Sequence, residues 1–229
     1  HPRRLPSQRG GADHCEVLRK ERRPPRRPTA PDPAVRIVGV LLAAGSGSRF
    51  GGGKLVHPVG EHAEPLAHIA WRHLRDAVSD VIVVVRAGDA AVEQVFREAG
   101  AAVTICEDSN EGMGRSLACG IRGASGADGW IVALGDMPLV RPETIRRVAA
   151  ALAGGASIAI PVHEGRRGHP VGFAAKHGPA LIGLQGDEGA RRIVGADPGQ
   201  VVEVAVAEPG ILADVDTRED ASRLADAGR

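Results

Sequence analysis

From Val35 onward the sequence predicts an α/β domain built on a mostly parallel sheet. Short Val/Ile-rich runs alternate with stretches whose apolar residues recur at helical spacing, the pattern of strands linked by crossover helices. A glycine-rich loop, "LLAAGSGSRFGGGK", directly follows the first apolar run, as ligand loops do at the carboxyl end of a parallel strand. With 229 residues and 43% hydrophobic composition, the chain can bury one sizeable core beside an appendage.

"RIVGVLLA" from Arg36 is the first buried strand. Leu66, Ile69, Ala70, Leu74, Ala77 and Val78 mark a helix, and "DVIVVV" from Asp80 is the next strand, completing a βαβ unit. Ala90 to Gly100 reads as a short helix stopped by glycine, followed by the strand "AAVTIC" from Ala101. "EDSNEGMGRSLACGI" is a polar loop opening a helix, and "GWIVALGD" from Gly129 is the fourth buried strand. Pro142 to Ala153 is a helix with proline in its first turn. "SIAIPV" and "PVGFAA" are strands around a polar loop. Asp187 to Val194 then reads as helix, "VVEVAV" as strand, and Thr217 to Ala225 as the last helix. Ligands bind beyond the carboxyl ends of such strands, where Gly45–Lys54, Asn110–Ser116, Asp136 and Asp214–Asp216 all fall.

The glycine loop fits neither common phosphate motif. In the dinucleotide pattern the third glycine position is Phe50, and in the Walker pattern the first glycine and the final Ser/Thr are Ser48 and Leu55. Pro58 stops a helix from starting directly behind Lys54, so the loop drapes over its ligand instead of feeding a helix N-terminus. Backbone N–H groups freed by Gly45 and Gly47, with Arg49 and Lys54, still suit phosphates. Solvated surface charge is the competing reading of the two cations, and their place in the loop outweighs it.

Other features bound the chemistry. The net charge of +1 hides nine Arg and Lys residues before residue 30, in a Pro-rich segment with little aliphatic periodicity. Residues 1–34 are expected to be a disordered basic tail, and residues 35–229 the folded domain. An unstructured extension is favoured over a nucleic-acid or acidic-partner arm, and the tail lacks the apolar core of a secretory signal. No run approaches the ~20 apolar residues of a membrane span, so a cytoplasmic protein with no membrane contact is expected. Cys15, Cys106 and Cys119 have no metal-ligand spacing and are assigned no chemistry, and no paired histidines suggest zinc. His68 and His73 are expected on the surface of the first helix.

Asp136 ends an apolar strand in "VALGDMP", where a carboxylate needs a cation or several donors. Capping the next helix is disfavoured because Met137 and Pro138 intervene, which leaves a divalent metal as the natural partner. "GILADVDTRED" offers Asp214 and Asp216, of which only one is expected to face the site because side chains alternate. Thr217 with Asp220 resembles a helix cap. Ser116 reads equally as a cap or a nucleotide contact. Arg166, Arg167 and His169 read equally as an anionic-substrate cluster or a hairpin tip. The absence of a Ser-His-Asp order, paired glutamates or a Cys-His arrangement disfavours hydrolysis, and the parts present suit phosphoryl or nucleotidyl transfer.

Together, "LLAAGSGSRFGGGK", "NEGMGRSLACGI", "ALGDMPLV", "GRRGHPVGF", "LQGDEGARRIV" and "DVDTRED" resemble the molybdenum cofactor cytidylyltransferase family, within the wider MobA-like nucleotidyltransferases. The resemblance runs in order from Val35 to about Ala225. It implies a Rossmann-like, three-layer nucleotidyltransferase fold with a CTP-binding loop over Ala43, Ala44, Gly45, Ser46, Gly47 and Arg49. It further implies Lys54 on the phosphates and Mg²⁺ on Asp136 and Asp216. The implied reaction joins CMP from CTP to the phosphate of molybdopterin and releases pyrophosphate, with a molybdenum hydroxylase as recipient and no nucleic-acid partner. Gly51, Gly52 and Gly53 depart from the family, where many relatives carry a polar or charged residue. Guanylyl-transferring relatives read Ala-Gly-Gly where this chain has Ala43, Ala44 and Gly45, which favours cytidine. The competing readings are a guanylyl- or sugar-phosphate nucleotidyltransferase on the same scaffold, and a cofactor-carrying chaperone, against which Lys54 and Asp136 argue.

Overall fold

The computed structural model describes residues 35–196 and 198–227; the expected basic tail and Cys15 lie outside the described residues. β1 (Ile37–Ala43) is buried along its whole length. Its side chains alternate between two cores, Leu41 and Ala43 on one side and Val38, Val40 and Leu42 on the other. A strand covered on both faces must be apolar throughout, which accounts for the uninterrupted run in the sequence.

The chain next forms a short hairpin, β2 (Pro58–Val59) with β3 (Glu64–Pro65). Then follow α1 (Leu66–Arg75), β4 (Asp80–Arg86), α2 (Ala90–Glu98), β5 (Ala102–Cys106), α3 (Met113–Gly123) and β6 (Gly129–Leu134). After α4 (Pro142–Ala153) come β7 (Ile158–His163), β8 (Arg166–Arg167), β9 (Val171–Ala174), α5 (Gly178–Ile182), α6 (Arg191–Ala196), β10 (Val201–Ala205) and α7 (Arg218–Ala227). The main sheet has the order β10-β7-β9-β6-β1-β4-β5, with β8 paired to β7. β1 lies parallel to β4 and β6, and β9 runs antiparallel to both its neighbours. The sheet is therefore mostly parallel, in a three-layer arrangement.

Helices α1, α2 and α4 pack Trp71, Leu74, Phe96, Ile145 and Val148 against one face of the sheet. α3 and α5 pack Leu117, Ile121 and Leu181 against the other. α3 comes so close that a Cβ on Gly120 would lie 2.4 Å from Val40 Cγ1 and 2.8 Å from Val84 Cγ2. The glycine sets the helix–sheet distance, and with it the height of the loop leading into α3.

Three expectations are corrected. Asp187 to Val194 is not one helix: a 3₁₀ turn, Gly186–Glu188, is separated from α6 by Gly189, whose φ of 54° breaks the helical path. Neither His68 nor His73 is a plain surface residue. His68 Nδ1 lies 2.7 Å from Glu64 Oε1, and His73 Nδ1 donates to the Val140 carbonyl oxygen at 2.9 Å. The long side chains of α1 reach over the hairpin and the loop before α4, so a polar residue at the border of the apolar stripe still finds cover.

Burial holds the His73 imidazole below its usual pKa, outweighing the carbonyl bond that favours its charged form. The unfolded chain takes up a proton near ~6.5 that the folded protein resists. This stability is therefore present above that pH and declines as pH falls through and below it. The unfolding midpoint is expected to drop between about pH 7 and 5.5. His73→Gln, which keeps a donor for Val140, should flatten that drop; an equally steep profile in the variant would remove His73 as the cause.

Candidate active site

The end of β1 passes into a loop that its glycines fold back on itself. The Gly47 carbonyl accepts from Phe50 N at 3.0 Å and Gly52 N at 3.2 Å. Gly51, Gly52 and Gly53 have φ of 87°, 91° and 64°, a left-handed run that returns the chain to Gly47. Three residues with side chains would strain there. Lys54 then sits against Gly47, where an added Cβ would lie 3.0 Å from its own Cβ. His57 N bonds the Lys54 carbonyl, and Ala67 N bonds the Leu55 carbonyl, tying this segment to the start of α1. As expected, no helix begins behind Lys54.

Across the sheet, Gly135 N donates to the Leu42 carbonyl at 2.9 Å, so the end of β6 lies beside the end of β1. Asp136 follows, and its carbonyl accepts from Val215 N at 2.9 Å. That bond lays the segment 213–216 alongside the strand end. Val215 is buried against Phe50, Val59 and Leu66.

Asp214 and Asp216 both turn toward Asp136: one ligand oxygen from each of the three lies within 4.8 Å of the others. The expectation that only one would face the site is corrected, because residues two apart share a face of an extended chain and the intervening Val215 takes the other. Three carboxylates at this spacing form an all-oxygen donor set suited to a hard divalent cation.

Cations already meet these acids. Lys54 Nζ lies 2.7 Å from Asp136 Oδ2 and 3.5 Å from Asp216 Oδ1, and the Arg49 guanidinium pairs with Asp216 Oδ2. Lys54 is 9% exposed, which its stem achieves by lying under the glycine loop.

A cleft of about 550 Å³ opens beside this group. One wall is Ala44, Gly45, Ser46, Gly47, Arg49 and Lys54, the other Ser109, Asn110, Gly112 and Ser116, with Asp136 at its floor. Ala43 is fully buried in β1, so it meets the cleft through its neighbours and not by an exposed side chain. Ser116 lies in the first turn of α3 and is nearly buried.

Three further lining residues were missed. Arg86 ends β4, Asp187 lies in the 3₁₀ turn after α5, and Ser109 has a buried Oγ with no hydrogen-bond partner. Arg86 was findable, as the cation closing "DVIVVVR" at the carboxyl end of a parallel strand. The position of Asp187 depends on the break in the expected helix.

Arg167 and His169 go separate ways. Arg167 pairs with Glu203 on β10 at 2.8 Å and is not among the cleft-lining residues. Its neighbour Arg166 is exposed on the same short strand. His169 is held inward: its N–H donates to the Ile211 carbonyl at 2.9 Å, and its Nδ1 is buried without a partner. Burial lowers its pKa, while Asp136 and Asp214 pull the other way. His169 thus lies inside, within electrostatic reach of Asp136 and Asp214, and like Arg167 it is not among the cleft-lining residues.

A glycine loop, two cations and a carboxylate cluster at adjoining strand ends can hold a polyphosphate with a metal. The MobA-like NTP transferase domain matches residues 39–201, well over half of the chain. The chain belongs to that family. It is 33% identical over 197 residues to the purine catabolism protein PucB of Bacillus subtilis, covering 80% of this chain and 93% of PucB. It is also 29% identical over 195 residues to the nicotine blue oxidoreductase of Paenarthrobacter nicotinovorans, covering 82% of this chain and 96% of that protein. The crystal structure of Rv0371c from Mycobacterium tuberculosis superposes with a TM-score of 0.75 at 29% identity, covering 85% of this chain and all of Rv0371c. Rv0371c has also been crystallised in complex with manganese, and that structure superposes with a TM-score of 0.68. The MobA-like nucleotidyltransferase fold expected from the sequence is thus the observed one. Among the described residues no helix is long and apolar enough to cross a membrane.

Proposed function

We propose that this MobA-like transferase moves CMP from CTP to the terminal phosphate of molybdopterin with release of pyrophosphate, using Mg²⁺ held by Asp136, Asp214 and Asp216. The observation that carries the reading is the cleft itself. A glycine loop with Arg49 and Lys54 stands over a carboxylate cluster, beside a small-residue wall at Ala44 and Gly45. The six segments shared in order with molybdenum cofactor cytidylyltransferases support this donor and acceptor. A molybdenum hydroxylase would receive the product, and the setting would be the cytoplasm.

In this reading Gly45, Ser46 and Gly47 offer backbone N–H groups to the triphosphate, with Ser116 and Ser109 opposite them. The acceptor is a phosphate monoester, whose second pKa near ~6 leaves it an anion at neutral pH. It needs no general base, and none is assigned. Its oxygen attacks the α-phosphorus of CTP as the bond to the bridging oxygen of pyrophosphate breaks. Lys54 and Arg49 offset the charge gathering on the departing pyrophosphate. A bound divalent ion supplies further neutralisation of the phosphate oxygens. His169, buried and not among the cleft-lining residues, is given no step. Arg167, paired on β10, is left outside the step.

The test is incubation with molybdopterin, Mg²⁺ and each nucleoside triphosphate, reading pyrophosphate release and the mass of the dinucleotide. A pyrimidine and a purine differ in size and hydrogen-bonding pattern, so one backbone-lined pocket does not serve both. CTP is expected to exceed GTP by at least about 10-fold in kcat/KM. Ala44→Gly should narrow that gap. Equal use of CTP and GTP would overturn the cytidylyl assignment and leave nucleotidyl transfer standing; no dinucleotide from any triphosphate would overturn the acceptor.

A further inference from the structure

Lys54 stands where a divalent ion would have to stand. Its ammonium is shared between Asp136, at 2.7 Å, and Asp216, at 3.5 Å, and these are two of the three carboxylates whose oxygens converge. The other oxygen of Asp216 is taken by Arg49. Of the three acids, Asp214 alone is left without an ion pair among the described residues, and it is also the exposed one. Two cations therefore cover the acidic cluster.

A carboxylate lone pair that accepts from an ammonium is not available to a metal. A divalent ion bound at about 2.0–2.6 Å from the same Asp136 oxygen would lie within a few ångströms of Nζ. Two cations that close repel strongly in a cleft where Lys54 is largely screened from water. The metal and the lysine thus compete for Asp136. The Lys54 carbonyl is held by His57 N, and the next residue is tied to α1 through Ala67 N, so a shift of the ammonium toward the cleft that it lines falls to rotation of the four-carbon stem.

We propose that Lys54 is the resident counter-ion of the Asp136–Asp214–Asp216 cluster in the nucleotide-free enzyme, and that metal and nucleoside triphosphate enter as one unit because the triphosphate draws Lys54 off the carboxylates. The joint-entry part rests on the reading of the cleft as a nucleotide site. The triphosphate gives the ammonium a new anionic partner, and the metal takes the oxygens it vacates. By linkage each ligand strengthens the other by the same factor, so the carboxylates stay closed to stray divalent ions until the substrate is present. A catalytic cation that also guards the metal ligands would couple cofactor loading to substrate binding without a moving domain.

Mn²⁺ titrated into the nucleotide-free protein, with free ion followed by electron paramagnetic resonance, tests the counter-ion role. Lys54→Met keeps the stem and removes the charge, and it is expected to bind Mn²⁺ at least 10-fold tighter than the unmodified protein. The gain should vanish in Lys54→Met/Asp136→Asn and be absent in Lys176→Met, an exposed lysine outside the cleft. Equal or weaker binding by folded Lys54→Met would overturn the proposal. The unmodified protein offers a second measurement that needs no variant. Mg²⁺ alone should leave its unfolding midpoint unmoved, and Mg²⁺ with CTP should raise it beyond CTP alone. A rise with Mg²⁺ alone as large as with Mg²⁺ and CTP would also overturn it. No response to CTP in any combination would sink the nucleotide reading and joint entry with it, while tighter Mn²⁺ binding by Lys54→Met would still establish the counter-ion.

Discussion

Asp136→Asn is expected to lower nucleotidyl transfer by about 1000-fold or more while leaving the fold intact. The amide keeps the size of the side chain but removes the charge that pairs with the Lys54 ammonium and that, in the proposed function, would help to hold a divalent ion. An oxygen-rich site that loses one of three carboxylates binds a divalent ion poorly, and the two aspartates left behind do not lie on the floor between β1 and β6. Lys54 loses its shorter ion pair at the same time, and with it the carboxylate that keeps its ammonium at the strand ends until a triphosphate draws it off. The fold should survive because the structural role of Asp136 belongs to its backbone: its carbonyl accepts from Val215 N, and a side-chain change does not touch that bond. Pyrophosphate release under saturating triphosphate reads the first effect and a thermal melt reads the second. Transfer within about tenfold of normal would remove Asp136 from the reacting site.

The parts of this site that were legible in the sequence are those set by local chemistry. β1 could be read because a strand buried on both faces must be apolar at every position, and α4 because Pro142 fits the first turn of a helix. The glycine turn behind β1 could be read because so many glycines together call for left-handed backbone, and Gly47, Gly51, Gly52 and Gly53 all have positive φ. The cap at Thr217 also followed from spacing: Thr217 and Asp220 exchange backbone-to-side-chain bonds at 2.8 and 3.2 Å. Cys106 is a buried thiol that burial and the neighbouring Cys119 push up to about 12.

What could not be read depends on partners distant in the chain. Arg167 and His169 are two residues apart in one hairpin, yet Glu203 holds the first at the sheet edge and Ile211 holds the second inside. Nothing near them in sequence announces either partner. The pairing of Lys54 with Asp136 spans 82 residues and closes only when β6 lies beside β1. A loop lysine and a strand-end aspartate were each visible as functional candidates, but their contact, and the competition it sets up with a metal, belongs to the assembled sheet.

Gly112→Ala is expected to destabilise the protein by roughly 2–4 kcal/mol and to weaken triphosphate binding in whatever folded fraction remains. Gly112 adopts φ 124° and ψ 172°, a conformation that side-chain-bearing residues rarely take. An added Cβ would also lie 2.4 Å from the Gly186 carbonyl carbon, 2.5 Å from its oxygen and 2.6 Å from Asp187 Oδ1. Backbone atoms cannot turn aside as the end of a flexible side chain can, so the Gly186–Asp187 turn must move as a body. That turn and the loop before α3 together form the cleft wall that carries Asn110, Gly112, Ser116 and Asp187. Gly45→Ala provides the contrast on the opposite wall, because an added Cβ there meets nothing within 4 Å and the φ is ordinary. Gly45→Ala should therefore melt within about 0.5 kcal/mol of the unmodified protein and show its loss only in triphosphate affinity. Denaturant unfolding and nucleotide titration of the two variants separate these effects. A Gly112→Ala protein as stable as Gly45→Ala would show that the Gly186–Asp187 turn is not packed on α3 as described, and that this wall of the cleft is placed by something else.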